Sequence, residues 1–276
     1  MNDVDAHFHC WRLARGDYGW LTPALAAIWR DVAVEDWQRE AAPLGVRGGV
    51  LVQAAPTEAE TLFLLQEMAA HDAVLGVVGW VDLPAPDAPA RIARLAERHP
   101  KLKGLRPMLQ DIDDPGWILQ PALRPALEAI AERDLVFDAL VKPVHLPHVL
   151  ALCERHPALR VVIDHGAKPD IAGGRWEPWA SDIARVARET QAVCKLSGLL
   201  TEAGPAPARG AARRWAMHLL EVFAPQRLLW GSDWPVLELA ASYRDWWEDA
   251  QTMLGGLDET ERAAVMGGNA RRVYRL

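Results

Sequence analysis

The chain is short of cysteine, of long apolar runs and of basic clusters, and each shortage removes a class of protein. Cys10, Cys153 and Cys194 are the only cysteines among 276 residues. An odd number without CxxC spacing fits a reducing compartment better than a disulfide framework. No run of 18 apolar residues exists, which excludes a hydrophobic membrane span. Met1 to Asp5 carries no basic region followed by an apolar one, so no export signal is read there and a cytoplasmic location is expected. The net charge is −7 with both signs scattered along the chain. Without a basic patch interleaved with aromatics, nucleic acid is not expected as a partner. No GxGxxG follows the first apolar run and no GxxxxGK[ST] occurs, which removes the commonest nucleotide-binding loops.

What is present is a repeat of two patterns. Short runs rich in β-branched and aliphatic residues predict strands at 4–9, 49–53, 74–81, 104–107, 136–141, 161–164, 192–196 and 227–231. Amphipathic stretches between them predict helices at 57–71, 88–98, 121–132, 146–156, 178–190, 211–223 and 240–254. Strand then helix, repeated about eight times, implies parallel strands joined by crossover helices. Half of the residues are hydrophobic, and the strands read as continuous apolar runs, as expected where both faces are buried. Eight units in a chain of this length favour a single-domain, slightly distorted (β/α)8 TIM barrel over residues 1–276, with an open doubly wound sheet as the alternative. In such a barrel the long segment 12–36 after the first strand reads as a loop on the C-terminal face, where active sites lie.

The strongest local signal is Asp5-Ala6-His7-Phe8-His9. Strand alternation places Asp5, His7 and His9 on one face, and two convergent imidazoles can ligate a divalent metal. The plainer alternative is a pair of hydrogen-bonded core histidines. The sixth strand ends in Asp164-His165-Gly166 and the eighth in Gly231-Ser232-Asp233-Trp234-Pro235. A His or Asp at a strand end beside a Gly turn is placed as a barrel enzyme places its catalytic groups. Asp233 could bind a metal or act as general base for an attacking water. A structural role, capping the Gly231 turn, is its alternative.

The segments DAHFH, VVIDHGAKP, KLSGL, LLWGSDWPV and the closing GNARRVYRL resemble the amidohydrolase superfamily. Within it they are most similar to the amidohydrolase-2 branch and its L-fuconolactonase-like sugar lactonases. The likeness runs from Val4 to Leu276 and includes Gly16-Asp17-Tyr18-Gly19-Trp20-Leu21 and Leu102-Lys103-Gly104-Leu105-Arg106. It implies hydrolysis of a sugar lactone inside the barrel, with Asp233 and His165 catalytic. It further implies one divalent metal, Zn2+ in the first instance though dispensable in some relatives, held by some of His7, His9, His165 and Asp233. Members with two metals bridge them by a carboxylated Lys or a Glu on strand four and add a His on strand five. Here those strands offer Leu105-Arg106-Pro107 and Phe137-Asp138-Ala139-Leu140, so a binuclear centre is not expected.

The remaining candidates are weighed one by one. Arg106 offers a fork of donors to a lactone carbonyl or hydroxyl, or else a structural ion pair. Asp138 points into the barrel, where a carboxylate needs a partner or a function. Arg15, Tyr18 and Trp20 on the first loop, Lys168 after the His165 turn, and Trp234 complete the expected substrate contacts. Trp20, Trp29 and Trp234 could stack on a sugar ring, whereas Trp80, Trp215, Trp246 and Trp247 read as packing. Lys195 and Ser197 mark the end of the seventh strand, with Ser197 also readable as a turn residue. His145 and His148 read as local capping, and Cys10 as a small strand residue with a site role as its alternative. The expected partner is a small sugar lactone, with the chain a monomer or homodimer. A decarboxylase or dicarboxylate-lactone hydrolase of the same superfamily is the runner-up, since Arg15, Arg106 and Lys168 would suit a carboxylate. A non-catalytic binding barrel comes third.

Overall fold

The computed structural model describes residues 3–276; Met1 and Asn2, included in the expected domain 1–276, lie outside the described residues. The strands are β1 (Asp3–Phe8), β2 (Val46–Val52), β3 (Val74–Gly79), β4 (Leu102–Leu105), β5 (Val136–Ala139), β6 (Arg160–Ile163), β7 (Val193–Leu196) and β8 (Leu228–Trp230). They lie in chain order, and every pairing is parallel. Closure comes at the C-terminal rim. Asp233 N donates to His7 O and His9 N to Trp234 O, both at 2.8 Å, and Phe8 pairs with Trp234. The sheet is thus a nearly closed (β/α)8 barrel, and the seam that closes it brings the first and last strands' polar residues side by side.

Each expected strand overlaps an observed one, and the outer helices fall at the expected places. Helix Glu58–Ala69 starts where Thr57 Oγ1 accepts from Glu60 N at 3.1 Å, and helix Tyr243–Met253 starts on a Ser242/Asp245 capping box. Such caps satisfy amide donors that the first helical turn leaves free. The segment read as a loop to residue 36 instead runs into a helix, Val34–Ala41, whose Trp37 packs on the barrel wall. Val4, Ala6, Val50, Val52, Val78, Val136, Val162, Val193 and Leu229 fill the barrel interior. The C-terminal helix Asn269–Tyr274 plugs its floor with Ala270, Val273 and Tyr274.

β1 breaks strict alternation. Period two predicts Asp5 on one face with the two histidines, but Asp5 points to the other side of the sheet. Its carboxylate accepts from Trp37 Nε1 and Tyr243 Oη at 3.0 Å and from Ser232 Oγ at 2.6 Å, in the layer between sheet and helices. The β1–β2 register shifts between Asp5 and Phe8. An irregularity of this kind re-aims the side chains that follow. It turns His7 inward above Ala6 and sends Phe8 outward to stack on Trp37 at 4.1 Å.

Candidate active site

Three strand ends converge on one point. His7 Nε2 and His9 Nε2 lie 3.2 Å apart, and Asp233 Oδ1 lies 3.2 Å from His9 Nε2 and 3.6 Å from His7 Nε2. His165 Nε2 is 3.7 Å from the same oxygen. All four side chains are buried, at the base of a cavity of about 260 Å3 lined by His9, His165 and Asp233. Getting them there bends the backbone. His165, Gly166, Ala167 and Lys168 carry φ of 53°, 56°, 61° and 48°, and Asp233 has φ 59°. For residues with a Cβ this left-handed conformation is costly, and it clusters at functional sites. Gly198, at φ 63°, leaves room for the His165 ring; a Cβ there would sit 2.6 Å from it.

Beneath the cavity lies a buried group of charges. Lys195 Nζ is 2.5 Å from Asp138 Oδ2, 2.9 Å from Asp164 Oδ1 and 3.0 Å from His7 Nδ1. Arg106 Nη1 is 3.2 Å from Asp164 Oδ2 and 3.3 Å from His7 Nε2, while Nη2 donates to the Gln53 carbonyl and side chain. Tyr274 Oη, from the helix that plugs the floor, donates to Asp138 at 2.8 and 2.9 Å. Two cations thus face two carboxylates, the arrangement that makes burial of charge tolerable.

The protonation pattern follows from these contacts. His9 Nδ1 lies 2.7 Å from the Val52 carbonyl. A carbonyl only accepts, so Nδ1 donates to it and Nε2 faces the cluster. Burial, reinforced by Lys195, keeps His7 well below the ordinary histidine range. Burial likewise lowers His165 to about 4, against the raising pull of Asp233 and Asp164. Burial alone would raise the Asp233 carboxyl, but the surrounding His165, His9 and His7 outweigh it and hold it below its usual range. Both the neutral imidazoles and the carboxylate are therefore in place at neutral pH.

The histidine shift has a stability consequence. An imidazole with a folded pKa near 4 and an ordinary value of 6.5 takes up its proton earlier in the unfolded chain. Its contribution is complete above pH 6.5 and disappears as pH falls through 4, a loss on the order of 3 kcal/mol for His165. Urea denaturation at pH 7 and pH 4.5 should show most of that loss. Equal stability at the two values would mean that His165 is not held neutral by burial.

The cavity collects Trp20, Arg106 and Lys168 with His9, His165 and Asp233, as expected, and it adds Gln110, Thr201 and Glu202. Lys168 is paired with Glu202 at 3.0 Å. Four expected substrate contacts do not reach it. Arg15 lies over the Phe63 ring and pairs with Asp17 at 2.5 Å. Tyr18 is buried behind Trp11. Trp234 is buried, with Nε1 donating to Glu238 at 2.9 Å. Asp138 is in the barrel but below the cavity, held by Lys195 and Tyr274. Trp29 is a half-exposed surface residue outside the cavity lining. Cys10 is buried outside the cavity too, and burial pushes its thiol well up, which removes it as a nucleophile. His145 acts locally, accepting from Lys142 N at 3.1 Å. The residues that the strand-end argument leaves without a role are Asp164, Gln53 and Lys195, the last named only as marking the end of the seventh strand. A lysine set between apolar neighbours on a strand was the available signal for Lys195.

The donor set fits a single divalent ion. Nitrogen ligands at about 2.0–2.1 Å in a tetrahedron stand about 3.3 Å from one another. The triangle of His7 Nε2, His9 Nε2 and Asp233 Oδ1 has edges of 3.2, 3.2 and 3.6 Å, and these atoms form one of two buried His/Asp groupings with metal-ligand spacing among the described residues. The Val52 carbonyl orients His9 as outer partners orient metal-binding histidines.

A family model described as Amidohydrolase matches residues 4–276. The chain belongs to the amidohydrolase family. This amidohydrolase is 46% identical to an L-fucono-1,5-lactonase of Burkholderia ambifaria over 99% of the chain and 95% of that protein. It is 35% identical to an L-fucono-1,5-lactonase of Burkholderia multivorans over 99% of the chain and 96% of that protein. A crystal structure of a Burkholderia multivorans amidohydrolase with bound zinc superposes with a TM-score of 0.91 at 34% identity, covering all of both chains. No helix among the described residues is long and apolar enough to cross a membrane.

Proposed function

We propose that this amidohydrolase opens sugar lactones by adding water to the ring carbonyl. The observation that carries the reading is a small cavity with the Asp233 carboxylate and neutral histidines at its base, in a chain nearly half identical to a lactonase. The cavity lining is mixed. Gln110, Lys168, Thr201 and Glu202 can bond hydroxyls, while Leu25, Leu140, Val236 and Leu239 are apolar. Such a lining suits a deoxy-sugar lactone, whose hydroxyls meet the polar side chains and whose methyl meets the apolar ones. Water adds to the carbonyl carbon, Asp233 takes its proton, and the ester C–O bond breaks with the proton passing to the ring oxygen. The Arg106 fork at the rim of the histidine cluster faces the negative charge that develops on the carbonyl oxygen. His7, His9 and Asp233 are the residues that would hold Zn2+, with His165 beside them; such an ion, when bound, polarises a carbonyl as a Lewis acid.

The decarboxylase alternative loses part of its support, because Arg15 is paired with Asp17 away from the cavity. The test is a pH-indicator assay of the purified protein against aldono-1,4- and aldono-1,5-lactones, with metal measured on the same sample. Acid release well above the spontaneous rate is expected, together with about one equivalent of zinc. Carbon dioxide from hydroxybenzoates without lactone opening would overturn the reading. Metal below roughly a tenth of an equivalent, with full activity after chelation, would make the histidine pair a substrate-binding element instead.

A further inference from the structure

A second cavity, of about 510 Å3, adjoins the catalytic one, and the two share Trp20 and Met108 as lining. Its volume is in the range of small-molecule sites. Trp80 and Trp117 join Trp20 in its walls; Trp80, expected as packing, is only partly buried. The shared wall has a fixed half and an adaptable half. Trp20 Nε1 donates to the Ala54 carbonyl at 2.7 Å and its ring stands edge-on to Trp11 at 5.6 Å. Met108 is unbranched and can shift to let a ligand span both spaces.

The chemistry of the walls narrows the occupant. Three indoles present broad apolar faces, which pack well on the C–H faces of a pyranose. Asp17, Asp82 and Asp111 supply acceptors, and no Lys, Arg or His lines the cavity. Asp17 Oδ2 already accepts from Arg15 and Thr57, but its buried Oδ1 has no donor in the chain. The exposed carboxylates of Asp82 and Asp111 offer acceptors to an incoming hydroxyl. Flat apolar faces, hydroxyl donors and no negative charge describe an uncharged sugar, and adjacency to the catalytic cavity across Trp20 and Met108 favours one attached to the substrate.

We propose that this second cavity is a subsite for a neutral glycosyl group carried by the lactone, so that the enzyme hydrolyses glycosylated aldonolactones. The inference rests on the sugar-lactone reading. The bond changes are those already given: water adds at the lactone carbonyl, the ring ester C–O bond breaks, and the glycosidic bond stays intact in the product.

The test uses the best monosaccharide lactone and its monoglucosylated forms, one for each free hydroxyl, with wild type, Trp80→Ala and Trp117→Ala. Both tryptophans line the second cavity and not the first, so turnover of the parent lactone should stay within about twofold. At least one glucosylated form should be hydrolysed by the wild type with kcat/KM no worse than the parent, and each variant should lower that value about tenfold. Rejection of every glucosylated form, or acceptance that neither variant weakens, would overturn the subsite. So would a response confined to the corresponding monoglucosaminylated forms, assayed alongside, which would mark an ammonium site instead. Failure of the parent lactone itself would strike the proposed function rather than the subsite.

Discussion

Asp233→Asn is expected to lower kcat at least about a hundredfold while the barrel stays folded, the lower range for loss of a general base. The expectation comes from position and charge together. Asp233 Oδ1 is within 3.2–3.7 Å of His9, His7 and His165, and the surrounding imidazoles keep the carboxyl ionised against the raising effect of burial. The other carboxylate lining the cavity, Glu202, is tied to Lys168. Asn preserves the shape and the backbone seam, since Asp233 N still donates to His7 O, but it cannot accept a proton from water. Thermal melts and metal content on the same variant separate loss of chemistry from loss of the site. A folded, normally loaded variant that kept most of its kcat would remove Asp233 as the base. His165, with Nδ1 2.9 Å from Ser197 Oγ, would then take that role.

How the site could be read before the fold was known depends on where each residue sits in its strand. His7, His9, His165 and Asp233 stand at strand ends next to turns, where a barrel exposes side chains to its mouth, and the structure brings the three histidines within 3.2–3.7 Å of Asp233 Oδ1. Asp5 was placed wrongly because period-two reasoning assumes an unbroken register, and the shift between Asp5 and Phe8 is a property of the β1–β2 pairing. Arg15 and Tyr18 follow the first strand closely, yet the loop folds so that Trp20 alone of the three meets the cavity. Loop geometry is not encoded in spacing. The buried charges under the site were hidden for a different reason. Asp138, Asp164 and Lys195 come from three strands and meet only when the sheet curls, and Tyr274 reaches them from the far end of the chain. The helix pattern was easier, since outward apolar stripes repeat locally. The short helix Val34–Ala41 was lost inside a segment dominated by loop residues.

The buried charge group yields the largest expected change in stability. Lys195 is fully buried, and its Nζ bridges Asp138, Asp164 and His7 within 3.0 Å. Lys195→Met keeps an unbranched side chain of similar reach but removes the cation, leaving Arg106 to face two buried carboxylates. Breaking one member of such a pair leaves an uncompensated charge, which costs about 3–5 kcal/mol. Urea denaturation of Lys195→Met should show a loss of that size with an unchanged m-value, as expected when the native fold is kept. The loss has a specific cause, so it has a specific remedy. Adding Asp138→Asn to Lys195→Met removes the orphaned charge yet leaves an acceptor for Tyr274, which donates to Asp138 Oδ1 at 2.9 Å. The double variant should therefore recover a large part of the loss, while Asp138→Asn alone should destabilise the wild-type protein by stripping Lys195 of its nearest partner. A purely packing role for Lys195 makes the opposite claim: the two substitutions would add, and the double variant would be the least stable of the three.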